Sequence, residues 1–201
     1  PQGALISWAL MMEGGIQVNA LGRRFHDETE GYSEASVHVL AQPGGVAWNV
    51  FDAPILALAR GFPDFVDAEA AGAVKHCDSV QALAAVIGCD EAALAATLAG
   101  QGPYPRHGSR PLQAPFCAVK VTGALFHTQG GLDIDAQCRV LDTAGRPFPN
   151  LLAAGGAARG VSGDAVWGYL SGNGLLSAVA GGFIAAHTAA HQLRSTTGTT
   201  P

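Results

Sequence analysis

GPYPRHGSRPLQAP, residues 102–115, divides this chain. Pro103, Pro105, Pro111 and Pro115 each fix φ and remove an amide donor, so neither a helix nor a central strand runs through them. The two sides differ in character. Upstream, alanine-rich segments carry helical spacing; downstream, short alternating runs and glycine turns dominate. The pattern predicts an α+β chain with one domain over residues 1–115, a second over 116–193, and a disordered Ser/Thr/Gly tail over 194–201.

Working outward from that segment, Asp78 and Ser79 precede Val80, Leu83, Ala84, Val86 and Ile87, which recur at helical spacing until Gly88. Asp90 caps a second helix carrying Leu94 and Leu98, stopped by Gly100 and Gly102. Residues 33–40 are helix-compatible, and residues 46–52 read as a strand that closes at Ala53-Pro54. The run Ile16-Gln17-Val18-Asn19, the turn Leu21-Gly22 and the return Arg24-Phe25-His26 predict a β-hairpin at the N-terminus. Beyond Pro115, strands are expected at 116–122, 131–135, 139–141 and 151–154. The apolar, small-residue stretch from 172 to about 193 predicts a long helix buried on most of its surface.

A chain of 201 residues, 48% hydrophobic and 13% charged, holds enough apolar material for a core. Its 11 Lys and Arg lie unclustered within a net charge of −5, which argues against a nucleic-acid partner. Cys77, Cys89, Cys117 and Cys138 form no C-x-x-C pair and read as free thiols of a reducing cytoplasm. The only adjacent Cys and His are His76 and Cys77, with no second ligand pair at metal spacing, so no metal is expected. No stretch reaches the ~18 apolar residues of a membrane span, and the first residues lack the basic-then-apolar pattern of a signal peptide. Because residues 1–12 run into an apolar segment without a starting Met, the chain is expected to begin inside a longer protein.

Two stretches suit chemistry. Gly155, Gly156, Gly160, Gly163 and Gly168 lead into Ser171-Gly172-Asn173-Gly174 at the head of the last helix. Glycines at a helix start leave amide groups free at the positive end of its dipole, which suits a phosphate or an electron-rich ring. The alternative is that these glycines only permit close packing. Gly172 to Ser177 approximates G-x-G-x-x-G without the βαβ context that motif requires, and is not taken as a nucleotide fingerprint. The second stretch, VTGALFHTQGGLD, sets His127 before a polar pair and a Gly-Gly turn, where its ring either faces a cavity or serves structure.

Taken in order, "GGIQVNALGRRFHDE", "SVQALAAVIGCDEAALAATL", "APFCAVKVTGALFHTQGGLDID", "GRPFPNLLAAGG" and "SGNGLL" resemble the flavoprotein family of fumarate reductases and succinate dehydrogenases, with its tricarballylate and ketosteroid dehydrogenase branches. The resemblance runs over about residues 5–190 and implies FAD as cofactor. It implies that residues 1–115 belong mainly to a substrate-capping domain and 116–193 to the C-terminal part of a Rossmann-like FAD-binding domain. The first βαβ unit, with its pyrophosphate-binding glycines, would lie upstream in the missing half of the same protein. His127 matches the histidine of the family's "HTxGG" motif, which binds a substrate carboxylate, so that His127, Thr128, Gln129 and Gly130 become substrate-binding candidates. Gly155 and Gly156 match the "AAGE" turn with glycine in place of glutamate. Ser171, Gly172, Asn173, Gly174, Leu175 and Leu176 match the "GGNAL" helix start that faces the flavin.

Departures from the family pattern count equally. Where fumarate reductases place a proton-delivering arginine after "RFxNE", this chain offers Tyr32; relay positions upstream resemble Trp8 and Met11, and an arginine before the last helix gives way to Trp167 and Tyr169. The resemblance therefore implies hydride transfer between flavin and a small carboxylate or carbonyl substrate, with His127, Tyr32 or Tyr169 as acid or base, and not fumarate reduction. The other expectation is a folded fragment that does not hold FAD on its own, with exposed apolar surface that favours homo-oligomers.

Overall fold

The computed structural model describes residues 3, 5–104, 107–108, 110–126 and 128–197. It has mixed α and β architecture in two compact units, Pro1–Ala124 and Leu125–Pro201. The expected boundary at Pro115 and this division differ, because the strand that follows Pro115 belongs to the first unit's sheet.

That sheet has the order β1-β2-β4-β3, every neighbouring pair antiparallel. β1 is Ile16–Val18, β2 Val46–Asp52, β3 Val74–Cys77 and β4 Phe116–Thr122. β2 and β4 pair along their full lengths, from Val46 opposite Thr122 to Asp52 opposite Phe116. β-branched and aromatic side chains suit such central, covered strands. Helices α1 (Ala9–Met12), α2 (Tyr32–Leu40), α3 (Ala53–Ala59) and α4 (Pro63–Ala70) come before β3, and α5 (Val80–Ile87) and α6 (Glu91–Leu98) between β3 and β4. Leu10, Val18, Val50, Phe51, Phe65, Leu83 and Leu94 are fully buried in one core, where Phe51 meets the edge of Phe65 at 6.0 Å.

The capping residues act as their chemistry predicts. Ser79 Oγ accepts from the Ala82 amide at 3.1 Å, Gly88 adopts a left-handed conformation (φ 82°), and Asp90 Oδ1 accepts from the Ala93 amide at 2.8 Å. Pro54 does not simply close β2; it sits in the first turn of α3, where its missing amide costs nothing.

The N-terminal hairpin does not form. The turn exists, with the Asn19 amide bonded to the Arg23 carbonyl at 3.0 Å, but no strand returns beside β1, which pairs instead with β2, Ile16 opposite Val50. The cause is local. The Gln17 amide, which a returning strand would have to satisfy, donates at 2.9 Å to the carboxylate of Glu28.

In the second unit, β5 (Arg139–Leu141) and β6 (Pro147–Leu152) form a hairpin whose turn is closed by Asp142 and by Gly145 at φ 75°. The strand expected at 131–135 is reduced to two isolated bridges, Leu132 with Ala158 and Ile134 with Val140. Ile134, Val140, Ala153 and Ala158 make a small core. α7 runs over Asn173–Thr197, so residues 194–197 of the expected disordered tail are helical, and 198–201 fall outside the described residues. The expectation that α7 is largely buried is also overturned: Leu175, Val179 and Phe183 are each about two-thirds or more exposed. Its seat is narrow. Gly155 and Gly181 bring backbones together there, since a Cβ on Gly155 would lie 3.2 Å from Ala178 Cα and one on Gly181 3.0 Å from Ala154 Cβ.

Candidate flavin-facing site

In the second unit two glycine-bearing loops run side by side. The Leu132 amide donates to the Ala157 carbonyl at 2.9 Å, Arg159 to Leu132 at 3.0 Å, and Gly160 to Gln129 at 2.9 Å. This approach requires glycine at 131, where a Cβ would stand 2.4 Å from the carbonyl carbon of Ala158. Asp133 and Arg159 add an ion pair at 3.0 Å across the same seam. Thr128, Gln129 and Gly130 are thereby held beside the 157–160 loop. His127 lies outside the described residues.

The start of α7 is held just as firmly. Asn173, 3% exposed, donates from Nδ2 to Ser162 Oγ at 2.6 Å and to the Leu170 carbonyl at 2.8 Å, and Ser162 Oγ also accepts from the Leu170 amide at 2.9 Å. One serine thus fastens both ends of the 162–173 loop. Glycines here divide into two kinds. Gly131, Gly155 and Gly181 permit close packing, whereas Gly156, Gly172 and Gly174 have nothing within 4 Å of a would-be Cβ and leave open backbone at the 155–156 turn and the α7 start. Both readings of the glycine-rich stretch hold, at different positions. Gly172 and Gly174 lie at the positive end of a 25-residue helix, which suits a group that carries negative charge. Ser171 is exposed beside them, and the exposed Leu175 and Leu176 offer an apolar surface at the same end. The chemistry of these residues would suit a flavin, with apolar side chains and open backbone for an aromatic ring system and amide groups for its electron-rich edge. Tyr169, half-buried, ends the turn before this helix.

Tyr32 belongs to the first unit, as the first residue of α2 after Gly31 at φ 117°, with 44% of its surface exposed. The segment before it is anchored by a buried polar network that the sequence reading missed. Gln17 Nε2 and Asn49 Oδ1 meet at 2.8 Å, His26 Nε2 and Gln17 Oε1 at 2.7 Å, and His26 Nδ1 lies 3.1 Å from the Asp27 carbonyl. A carbonyl only accepts, so Nδ1 carries hydrogen. A neutral ring then needs Gln17 to turn its amide nitrogen toward Nε2, and an imidazolium needs the oxygen there. Burial is the largest influence on His26 and pulls its pKa below 6.5, against the opposing charges of Glu28 and Glu30; His38, whose ring stacks on it at 5.2 Å, pulls the same way as burial.

Arg24 and Glu28 form a buried ion pair, and Arg24 Nη1 donates to the Tyr104 carbonyl at 2.8 Å. Asp27 Oδ1 accepts from Thr29 Oγ1 at 2.7 Å and pairs with His107 at 3.0 Å; chiefly the Thr29 bond lowers its pKa to about 2. No local sequence signal marks the Gln17, His26 and Asn49 network, whose members lie far apart in the chain. Met11 is a core residue and Trp8 packs partly buried against that core.

The family model described as an FAD binding domain matches residues 1–175. The chain is 34% identical over 197 residues to a probable fumarate reductase of Shewanella frigidimarina, an alignment that covers 92% of this chain and 32% of the relative. Among solved structures it is similar to the open conformation of a flavocytochrome c3 fumarate reductase, with TM-score 0.70 and 31% identity over 94% of this chain and 34% of the other. A 3-ketosteroid Δ1-dehydrogenase from Sterolibacterium denitrificans follows with TM-score 0.64 and 26% identity, over 89% and 39%. The chain thus spans about a third of the length of these relatives.

Proposed function

The chain belongs to the family of FAD-binding-domain flavoproteins, and from that membership we propose that it is the capping region and C-terminal flavin-facing part of an oxidoreductase that moves a hydride between FAD and a small carboxylate or carbonyl substrate. FAD supplies the two-electron chemistry when bound. The observation that carries the reading is that one unit pairs the 128–133 loop with the 157–160 loop, seats the 155 turn on α7 at Ala178 and Gly181, and leaves open glycine backbone at 156, 172 and 174. In this proposal Gly155, Gly156 and residues 171–176 face the flavin, and α7 directs its positive end toward the negative charge of the reduced ring. His127, Thr128, Gln129 and Gly130 orient the substrate, and Tyr32 or Tyr169 holds the proton that the reaction exchanges.

Fumarate reduction itself is not proposed. Tyr32 stands where the family's arginine would, and Arg139, Arg146 and Arg159 of the second unit are each engaged by Asp135, Asp142 and Asp133. The pyrophosphate grip is assigned to the rest of a longer protein, since anchors for so large a ligand act together and loss of one set weakens the whole. The 201-residue chain purified alone is therefore expected to be colourless, and the longer protein yellow. Stoichiometric flavin absorbance on this chain alone would overturn that division of labour. In the flavin-loaded longer protein, His127→Ala is expected to raise KM while Tyr32→Phe or Tyr169→Phe lowers kcat; unchanged kinetics in all three would remove the assigned roles.

A further inference from the structure

Seven histidines occur in the chain, and four of the described ones are already engaged: His26 with Gln17, His38 with Glu30, His76 with Cys117 and Glu69, and His107 with Asp27. His187 and His191 differ. They stand four apart on α7, both exposed, and neither ring has a hydrogen-bond partner among the described residues.

Against the sequence expectation of no metal, which passed over this i,i+4 pair, we propose that His187 and His191 together bind a late first-row divalent metal ion, of the nickel, copper and zinc class. Residues i and i+4 of a helix lie on one face with Cβ atoms about 6 Å apart, close enough for two imidazoles to converge on one ion. Both line an open cleft of about 450 Å³ with Gln137, Arg139, Thr188 and Gln192. Thr188 Oγ1 donates to the Gln137 carbonyl at 2.8 Å, which fixes this helix face against the cleft's other wall. Phe183 meets the His187 ring at 4.4 Å from the preceding turn and restricts its rotation. Arg139 would repel a cation, but Asp135 pairs with it at 2.7 Å and offsets its charge.

The chemistry selects the metal. Neutral imidazole nitrogen suits nickel, copper and zinc, whereas magnesium and calcium demand oxygen donors. The described residues hold no cluster of three or more His, Cys, Asp or Glu able to share an ion, so the site has two protein nitrogens and completes its shell with water.

Calorimetric titration of the 201-residue chain with nickel or zinc chloride near pH 7.5 tests this. One equivalent is expected to bind, and magnesium should neither bind nor compete. His187→Asn or His191→Asn should each weaken binding about tenfold or more, since even groups behind the ligands carry a loss of that size. A register control separates this pair from general histidine content: His191→Gln combined with Gln192→His keeps seven histidines but breaks the four-residue spacing, and should bind as weakly as the single variants. His187 and His191 are exposed and Gln192 is half-buried on the same helix, so circular dichroism is read first to establish that every variant keeps the parent's helix content. No binding by the parent chain, full affinity in a single variant, or full affinity in the register control would each overturn the site.

Discussion

At the scale of single residues, His26 couples the first unit's stability to pH. Its pKa lies below the ordinary 6.5, chiefly through burial, so between those two values the unfolded chain binds a proton that the folded chain refuses. The stabilisation is complete above about pH 6.5, falls with pH at up to about 1.4 kcal/mol per unit until the lowered pKa is reached, and then levels off. Urea unfolding across pH 7.5 to 5 should show this slope, and His26→Gln should flatten it. His38→Gln, which leaves the buried ring in place, should retain most of it. Protonation also demands that the Gln17 and Asn49 amides reverse, so nitrogen chemical shifts of the His26 ring should report the Nδ1–H tautomer at pH 7.5. None of this was visible in sequence, because Gln17, His26 and Asn49 become a network only when β1 and β2 pair.

Among the elements, α5, α6 and β4 were legible because local signals agree with tertiary demands. Ser79→Ala removes the one side-chain cap of α5 and should lower stability by about 1 kcal/mol, read as a shift in urea midpoint at constant slope. Gly131→Ala should do more. Its Cβ would collide with the Ala158 backbone, and separating the two loops should lose the Leu132–Ala157 and Arg159–Leu132 bonds. Amide exchange at Leu132 and Arg159 should rise sharply, while the hairpin of β5 and β6 stays protected; unchanged protection would contradict the role given to this glycine. The same loop explains a misreading. Residues 131–135 look like a strand, yet glycine's close approach spends their pairing on isolated bridges rather than a ladder. The false hairpin at 16–26 has a comparable cause, a carboxylate occupying the Gln17 amide. Among candidate site residues, the glycines were legible by position, but which of them pack and which stay open depends on where Ala158 and Ala178 arrive.

For the whole molecule, the first unit should fold without the second but not without β4. A chain of residues 1–124 is expected to give a cooperative thermal transition, and one of residues 1–115 none, measured by circular dichroism. A folded 1–115 chain would restore the boundary that the proline-rich segment suggested. Apolar surface on α7 should make the 201-residue chain associate, visible as a concentration-dependent sedimentation coefficient, whereas residues 1–124 remain monomeric. The strand order carries one more implication. β4 lies between β2 and β3, which therefore have no ladder to each other, and it is the last strand of its sheet to leave the ribosome. For most of the time that the first unit is being made, two of its strands stand with open edges, so the rate of synthesis across residues 78–115 sets how long those edges remain available to other nascent chains.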